Sequence, residues 1–411
     1  MTGKVTTNSI NFILIAVLID AIGLGIIMPV LPELLRDLTG QPLNEAALHG
    51  GWLTFSYAIM QFIFMPIIGA LSDAYGRRRV LLISLFCLGF DYIFMALAPS
   101  IAWLYVGRII SGATGATYAT ANAYIADIAP PAERAQKFGM IGAAFGIGFV
   151  LGPTIGGLLG EIGPRVPFYA AAFIALANAV YGLFFVPESL DVEHRRAFSW
   201  RRANPFGVLK KISAMPKLGW FLVALFLFSC AHFAYPSSFS FFTAEKFDWT
   251  PKSIGFALGA FGVASAVVQG GLIRIAIPKL GMINCAVIGI IMNACAYIGL
   301  SMAGNTFIAY AYLIPAALGG LAGPAIMSLM SIRVAKNAQG ELQGATGAIS
   351  GIAMLFSPLA MTSLFHHYGG ADSIPYFPGA PFMLAGLLTI LGFLAFIWGV
   401  RHVPVVGAKA E

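Results

Sequence analysis

The chain has 411 residues, of which 59% are hydrophobic and only 10% charged, against about 25% charged in a soluble protein. That excludes a soluble globular domain as the bulk of the molecule, and the length leaves no room for two large soluble domains beside a membrane region. The formal net charge of +7 excludes nucleic acid as a partner once its distribution is read, because the basic residues lie scattered in short polar segments between apolar runs.

Apolar runs near 20 residues span a bilayer. Twelve are predicted, at roughly 9–30, 50–71, 80–98, 103–125, 137–160, 167–187, 217–242, 253–275, 283–303, 307–330, 341–365 and 380–400. Their period is helical or featureless, without the alternation of a barrel strand. The expected fold class is an all-α membrane protein with twelve transmembrane helices in two pseudo-symmetric six-helix bundles. With the N-terminus inside, Arg36, Arg165, Lys246 and Lys252 fall outside and Arg108 falls within a span, while the rest of the 24 Lys and Arg are cytoplasmic. This positive-inside bias puts both termini in the cytoplasm. The first run lacks a cleavage site and is expected to stay as a helix. Cys87, Cys230, Cys285 and Cys295 lie within apolar spans without CxxC spacing, so neither a disulfide nor a metal site is expected.

The longest polar segment divides the spans six and six. The expected domains are therefore an N-terminal bundle over 1–187, a basic cytoplasmic linker over 188–216 with a short surface helix, and a C-terminal bundle over 217–411. GAAFGIGFVLGP (142–153) and GAISGIAMLFSP (347–358) align at an offset of 205, which also places Gly76 over Gly281 and Tyr105 over Tyr310. Parallel six-helix repeats of this kind build one large transporter fold. The same offset maps Asp20 to Leu225, Asp91 to Ala296 and Arg108 to Leu313. Buried charge thus belongs to the first half only.

Ionisable groups at membrane depth are costly and face protein or water. Asp20 and Asp91 lie at similar heights, roughly 16 Å above the cytoplasmic edge, with Arg108 at roughly 20 Å. Arg108 is expected beside Asp20 as its counter-ion. A carboxylate between burial and a nearby cation can exchange protons; the alternative is a static pair holding two spans together. Between spans two and three runs GALSDAYGRRRV (69–80), a turn with Gly69 and Gly76. Its Asp73 is placed to face the start of span eleven near Leu342 and latch the halves, and Arg77 and Arg78 hold the loop inside. Gly142, Gly146, Gly156, Gly157 and Gly160 allow close helix packing, and Pro153 bends its helix. GIGFVLG is not a dinucleotide motif, since it follows no strand. Gln61, Asn122, Asn178, Gln269 and Asn293 are polar cavity candidates, Tyr57, Tyr118, Tyr235 and Phe239 aromatic ones, and His232 a titratable one. For each the alternative is helix packing.

The 69–80 loop resembles the signature of the major facilitator superfamily. LYVGRIISGATGA (104–116) is similar to its fourth-helix motif, with Arg108, and GIGFVLGPTIGG (146–157) to its fifth-helix antiporter motif, with Gly146, Gly152, Pro153, Gly156 and Gly157. LIDAIGLGIIMPVLPELL (18–35), LGFDYIFMALA (88–98), YIADIAPPAERAQKFG (124–139), FTAEKFDW (242–249) and MSIRVAKNAQGELQG (330–344) resemble the tetracycline-resistance exporters of the drug:proton antiporter group. The resemblance implies an inner-membrane antiporter, functional as a monomer, that exchanges protons for a drug-like solute without a cofactor or metal. It implies an Arg77–Asp127 pair at the inner gate. VPESL (186–190) resembles an end-of-helix-six motif, with Glu188 at the membrane interface. One departure stands out. Those exporters carry an aspartate in the ninth helix, where this chain has Asn293, and an amide does not exchange a proton near pH 7. Either Asp20 and Asp91 suffice or the cargo differs. A metabolite transporter of the same fold, and a membrane receptor or enzyme, remain the alternatives; no HExxH or GxSxG supports an enzyme.

Overall fold

The computed structural model describes residues 7–115, 117–130, 133–200, 218–335 and 338–402, and no strand occurs among them. Within lipid, backbone N–H and C=O groups find no water, so a spanning segment must satisfy them internally as a helix. In chain order the helices of the first part are α1 (Thr7–Ile27), α2 (Leu31–Thr39), α3 (Leu43–Tyr75), α4 (Arg77–Ala96), α5 (Ile101–Thr114), α6 (Thr117–Ile128), α7 (Arg134–Gly160) and α8 (Val166–Phe185). There follow α9 (Gly219–His232), α10 (Ala234–Phe247), α11 (Pro251–Val267), α12 (Ile273–Ser301), α13 (Thr306–Ala311), α14 (Leu313–Leu318), α15 (Ala322–Ser331), α16 (Gln339–Tyr368) and α17 (Ala380–His402).

Among the described residues, ten helical stretches are long and apolar enough to cross a membrane. One of them, Pro251–Ser301, holds two predicted spans, joined by a π-helical turn at Val268–Leu272 and interrupted at Gly281, whose φ of 80° leaves the helical region. The predicted span 103–125 is instead broken at Gly115 into α5 and α6, each too short to cross alone. These two irregularities reconcile ten long helices with twelve predicted spans. The linker expected over 188–216 is described only as far as Trp200, where a 3-10 turn at Val192–His194 stands in place of a surface helix. Arg201, Arg202, Lys210, Lys211, Lys336 and both termini lie outside the described residues.

By their contacts the residues fall into two units. The first comprises Met1–Gly40, Ser56–Pro205 and Thr250–Gly259, the second Gln41–Phe55, Phe206–Trp249 and Ala260–Glu411. They differ from the chain-order halves expected over 1–187 and 217–411 at two places. The start of α3 is counted with the second unit because Asn44 donates to the His366 carbonyl at 3.2 Å and Gly51 abuts Thr362. The start of α11 is counted with the first because Gly157 and Gly160 abut Pro251, and Glu161 accepts from the Lys252 backbone N–H at 3.2 Å.

The core of the first unit gathers Phe12, Ile13, Leu81, Leu85, Tyr124, Ile125 and Ile141. Its closest helix pair is α1 with α7. A Cβ on Gly148 would meet the Leu18 carbonyl, one on Gly152 the Ile22 carbonyl and one on Gly156 the Ile26 carbonyl. The two sets share a four-residue step, so one glycine face of α7 lies directly on the α1 backbone. Pro153, which cannot donate to the preceding turn, fits beside Gly25. The expected packing role fails at Gly142 and Gly146, which have nothing within 4 Å. Their side of α7 is turned away from α1. The core of the second unit gathers Phe221, Cys285, Ile290, Ile326, Leu342 and Phe396.

These contacts separate two glycines of one motif. Gly152→Ala puts a methyl into backbone and should destabilise by about 1–3 kcal/mol. Gly146→Ala has room and should stabilise by about 0.4–1 kcal/mol through the unfolded chain. Thermal unfolding of the two variants in detergent micelles checks the ordering.

Candidate functional site

Four elements of the first unit converge on a small cavity lined by Asp20 and Leu24 of α1, Tyr57 of α3, Ser84, Asp91 and Tyr92 of α4, and Arg108, Ser111 and Thr114 of α5. Gly115 and Thr117, at the break between α5 and α6, complete the lining. The glycine face of α7 lies on α1 at Leu18, Ile22 and Ile26, on either side of Asp20 in the sequence. Tyr92 ties α4 to α1, its hydroxyl occupying the space a Cβ on Gly23 would take. Gly107 is the counterpart on α5: a Cβ there would lie 2.9 Å from Asp91 Oδ1. The carboxylate therefore sits in a notch that only glycine leaves open.

The charge arrangement corrects one expectation. Arg108 Nη2 lies 3.7 Å from Asp91 Oδ2, so Arg108 pairs with Asp91. No ion pair joins it to Asp20 among the described residues. The similar heights of the two carboxylates could not distinguish them; the facing of α4 and α5 does. Asp91 is 3% exposed; its carboxyl lies beside the Ser111 hydroxyl and otherwise finds no hydrogen-bond partner among the described residues. Taking an ion out of water costs several kcal/mol. A partner charge near 4 Å returns roughly 4 kcal/mol at an effective dielectric of about 20. The opposing terms are of similar size, so neither charge state of the carboxylate is locked in by geometry. On its other side Arg108 lies over the Tyr57 ring, 5.8 Å from the centroid, and touches Met95 Sδ. Gln61 Nε2 donates to the Tyr57 hydroxyl at 3.1 Å and to the Gly115 carbonyl at 3.3 Å.

The cavity offers about 20 Å³ to the centres of water molecules. One water needs about 10–15 Å³ by that measure, whereas pockets for drug-sized ligands run to several hundred cubic ångströms. The cavity fits water and protons rather than a drug.

The other sequence candidates lie elsewhere. Tyr118 is exposed and edge-on to Phe145, and Asn122 donates to the Tyr118 carbonyl one turn back at 2.8 Å. Asn178 is buried in α8. Tyr235 and Phe239 belong to a packed aromatic cluster with Phe261, Tyr297 and Phe382. His232 is exposed at the end of α9. Gln269 is exposed in the π-helical turn, against Gly320. Asn293 donates to the Gly319 carbonyl at 3.2 Å.

A second cluster surrounds the α3–α4 turn. Gly76 has φ 104°, a conformation that side chains avoid. Gly69 is open, with nothing within 4 Å. Arg77 pairs with Asp73 and, at 3.1 Å, with Asp127. Arg78 Nη2 donates to the Leu183 carbonyl at 2.6 Å. The first turn of α4 has no capping side chain of its own, and Glu188 supplies the acceptor. Its Oε1 accepts from the backbone N–H of Arg77 at 2.8 Å, Arg78 at 3.3 Å, Ser189 at 3.1 Å and Leu190 at 3.2 Å. A carboxylate at a helix N-terminus satisfies orphan donors and meets the positive dipole end. Glu188 was expected only to lie at the interface. The available signal was a helix starting Gly-Arg-Arg-Arg, whose free N–H groups had to find an acid from another segment.

The geometry is that of a membrane protein with an internal charge site, and comparison places it. The Major Facilitator Superfamily model matches residues 13–358. The tetracycline resistance protein, class C, of Escherichia coli is 37% identical over 360 residues, 88% of this chain and 90% of that protein. The class G protein of Vibrio anguillarum is 35% identical, covering 87% and 90%. The crystal structure of the human organic anion transporter MFSD10 (TETRAN) superposes with a TM-score of 0.68 at 22% identity, covering 94% of this chain and 98% of that one, which shows the shared fold. With twelve predicted spans carried by its helices and a family match over most of its length, this multi-pass membrane protein belongs to the major facilitator superfamily.

Proposed function

We propose that the chain is a proton-coupled antiporter that exports an amphipathic, tetracycline-like drug by alternating access. The observation that carries this reading is the buried Asp91–Arg108 pair beside Asp20 in a water-sized cavity, within a chain similar to tetracycline resistance proteins. Asp20 and Asp91 take up and release the proton, and Arg108 balances the charge. The two roles are supported by the burial of the Asp91 carboxyl beside Arg108 and by the cost of leaving such groups in a bilayer without a task. Cargo contacts are assigned to Tyr118, Asn122, His232, Gln269 and Asn293, outside this cavity. The buried Asn178, Tyr235 and Phe239 are reserved for other states of the cycle.

Gating is assigned to Gly69, Asp73, Gly76, Arg77, Arg78 and Asp127, with Gly146, Gly152, Pro153, Gly156 and Gly157 shaping α7. The ion pairs of Arg77 support the inner gate. The rocking parts correspond to the chain-order halves 1–187 and 217–411. The distribution of Lys and Arg supports both termini being cytoplasmic, and the bacterial sources of the similar tetracycline resistance proteins support a bacterial inner membrane. It acts on protons and a small molecule as a monomer, without cofactor, and performs no covalent chemistry.

In proteoliposomes with an imposed pH gradient, the wild-type protein should accumulate tetracycline. Asp20→Asn and Asp91→Asn, inserted normally, should fall to the level of empty vesicles while still binding the drug. Accumulation by either variant against the drug gradient sinks the coupling assignment.

The Glu188 cap gives a second expectation. Glu188→Ala should lower stability by about 1–2 kcal/mol, as loss of a helix cap does, and Glu188→Gln should recover part of it. Thermal unfolding reads the stability, and drug resistance of cells carrying each variant reads turnover.

A further inference from the structure

We propose that Tyr57 is a positioning residue of the proton site: its ring seats the Arg108 guanidinium and thereby sets the pH range over which the site exchanges protons. The inference rests on the proton-coupled reading above and deepens it. It removes Tyr57 from the cargo contacts to which its aromatic character alone would assign it.

Tyr57 is fixed from several directions. Arg108 Cζ stands 5.8 Å from its ring centroid, within the range of a cation–π contact. Its hydroxyl accepts from Gln61 at 3.1 Å. The helix that carries Arg108 is trimmed to admit it. A Cβ on Gly112, one turn beyond Arg108, would strike the Tyr57 carbonyl, and a Cβ on Gly115 would lie 3.3 Å from its hydroxyl. The cavity in front of it is too small for a drug-sized solute.

The guanidinium is thus shared. It meets the π face and approaches Asp91 only to 3.7 Å, short of a hydrogen bond. An arginine fork can close on a carboxylate with two parallel hydrogen bonds. The ring holds it back from that geometry, which would keep Asp91 ionised and unable to accept a proton. The charged and titratable groups lining the cavity are Asp20 on α1, Tyr57 on α3, Asp91 and Tyr92 on α4 and Arg108 on α5; Thr117 of α6 is uncharged. None besides Arg108 is a cation, so release of Arg108 from the ring leaves Asp20 and Asp91 as its destinations.

The test measures tetracycline accumulation in proteoliposomes across a pH series. Wild type first establishes that a pH gradient drives uptake; if it does not, the proposed function falls and this inference with it. Tyr57→Leu should shift the midpoint of the pH profile to lower pH by about one unit, the small end of what a tightened cation partner does, about tenfold in proton affinity. Tyr57→Phe keeps the ring and should hold the wild-type midpoint. Tyr57→Met replaces the leucine variant should that one fail to reach the membrane. An unshifted midpoint with a raised KM for drug in the non-aromatic variant makes Tyr57 a cargo contact and overturns the inference. Equal shifts in the leucine and phenylalanine variants assign the effect to the hydroxyl and overturn it as well.

Discussion

A charge held at membrane depth constrains everything around it. The guanidinium of Arg108 touches the carboxylate of Asp91, the ring of Tyr57 and the sulfur of Met95. Neither contact is complete: the carboxylate is beyond hydrogen-bond reach, and the ring is near the outer limit of a cation–π contact. An intermediate position of this kind is mechanically demanding. It depends on the spacing of the three helices that carry Asp91, Arg108 and Tyr57, because a closer approach of the carboxylate turns a shared cation into a fixed ion pair.

The required precision comes from backbone contact rather than side-chain bulk. Gly107 leaves the notch for Asp91, Gly112 and Gly115 admit Tyr57, and Gly148, Gly152 and Gly156 lay α7 on α1. Where helices touch through backbone, the spacing is set by peptide geometry, which does not relax as a long side chain would. The break at Gly115 contributes as well. By ending α5 there it frees a carbonyl for Gln61, which in turn orients the Tyr57 hydroxyl. One discontinuity in a predicted span is therefore part of the site.

Much of this was legible in the residues. Spans were readable because each apolar run has membrane length, and the family because several polar motifs keep their spacing. Asp20, Asp91 and Arg108 could be singled out because charge inside a span is rare. The pairing was not legible. Depth along a helix follows from rise per residue, but rotation about the axis depends on packing against neighbours, and the expected Asp20–Arg108 partnership failed there. Glu188 was missed for a related reason. A helix start without its own cap announces a missing acceptor, yet which segment supplies it depends on how α8 ends beside α4. Gly142 and Gly146 show the converse error, since small residues permit close packing without requiring it.

Asn293 stands where the family resemblance implied an aspartate. Its amide donates to the Gly319 carbonyl at a 3-10 turn where the space beside Gly319 is filled by the Asn293 side chain. An ionised carboxylate could not stand in for it, having only acceptors to offer a carbonyl oxygen. A protonated one could, but would then be held in that state. The position is thus chemically committed to a neutral donor, and it serves the backbone of a helix break instead of exchanging protons. Of the three positions Asn293, Asp20 and Asp91, only Asp20 and Asp91 carry a group able to exchange a proton. Their cavity is water-sized, so under the proposed function proton and cargo are linked through the helices that carry Arg108 and Tyr57 rather than by sharing that space.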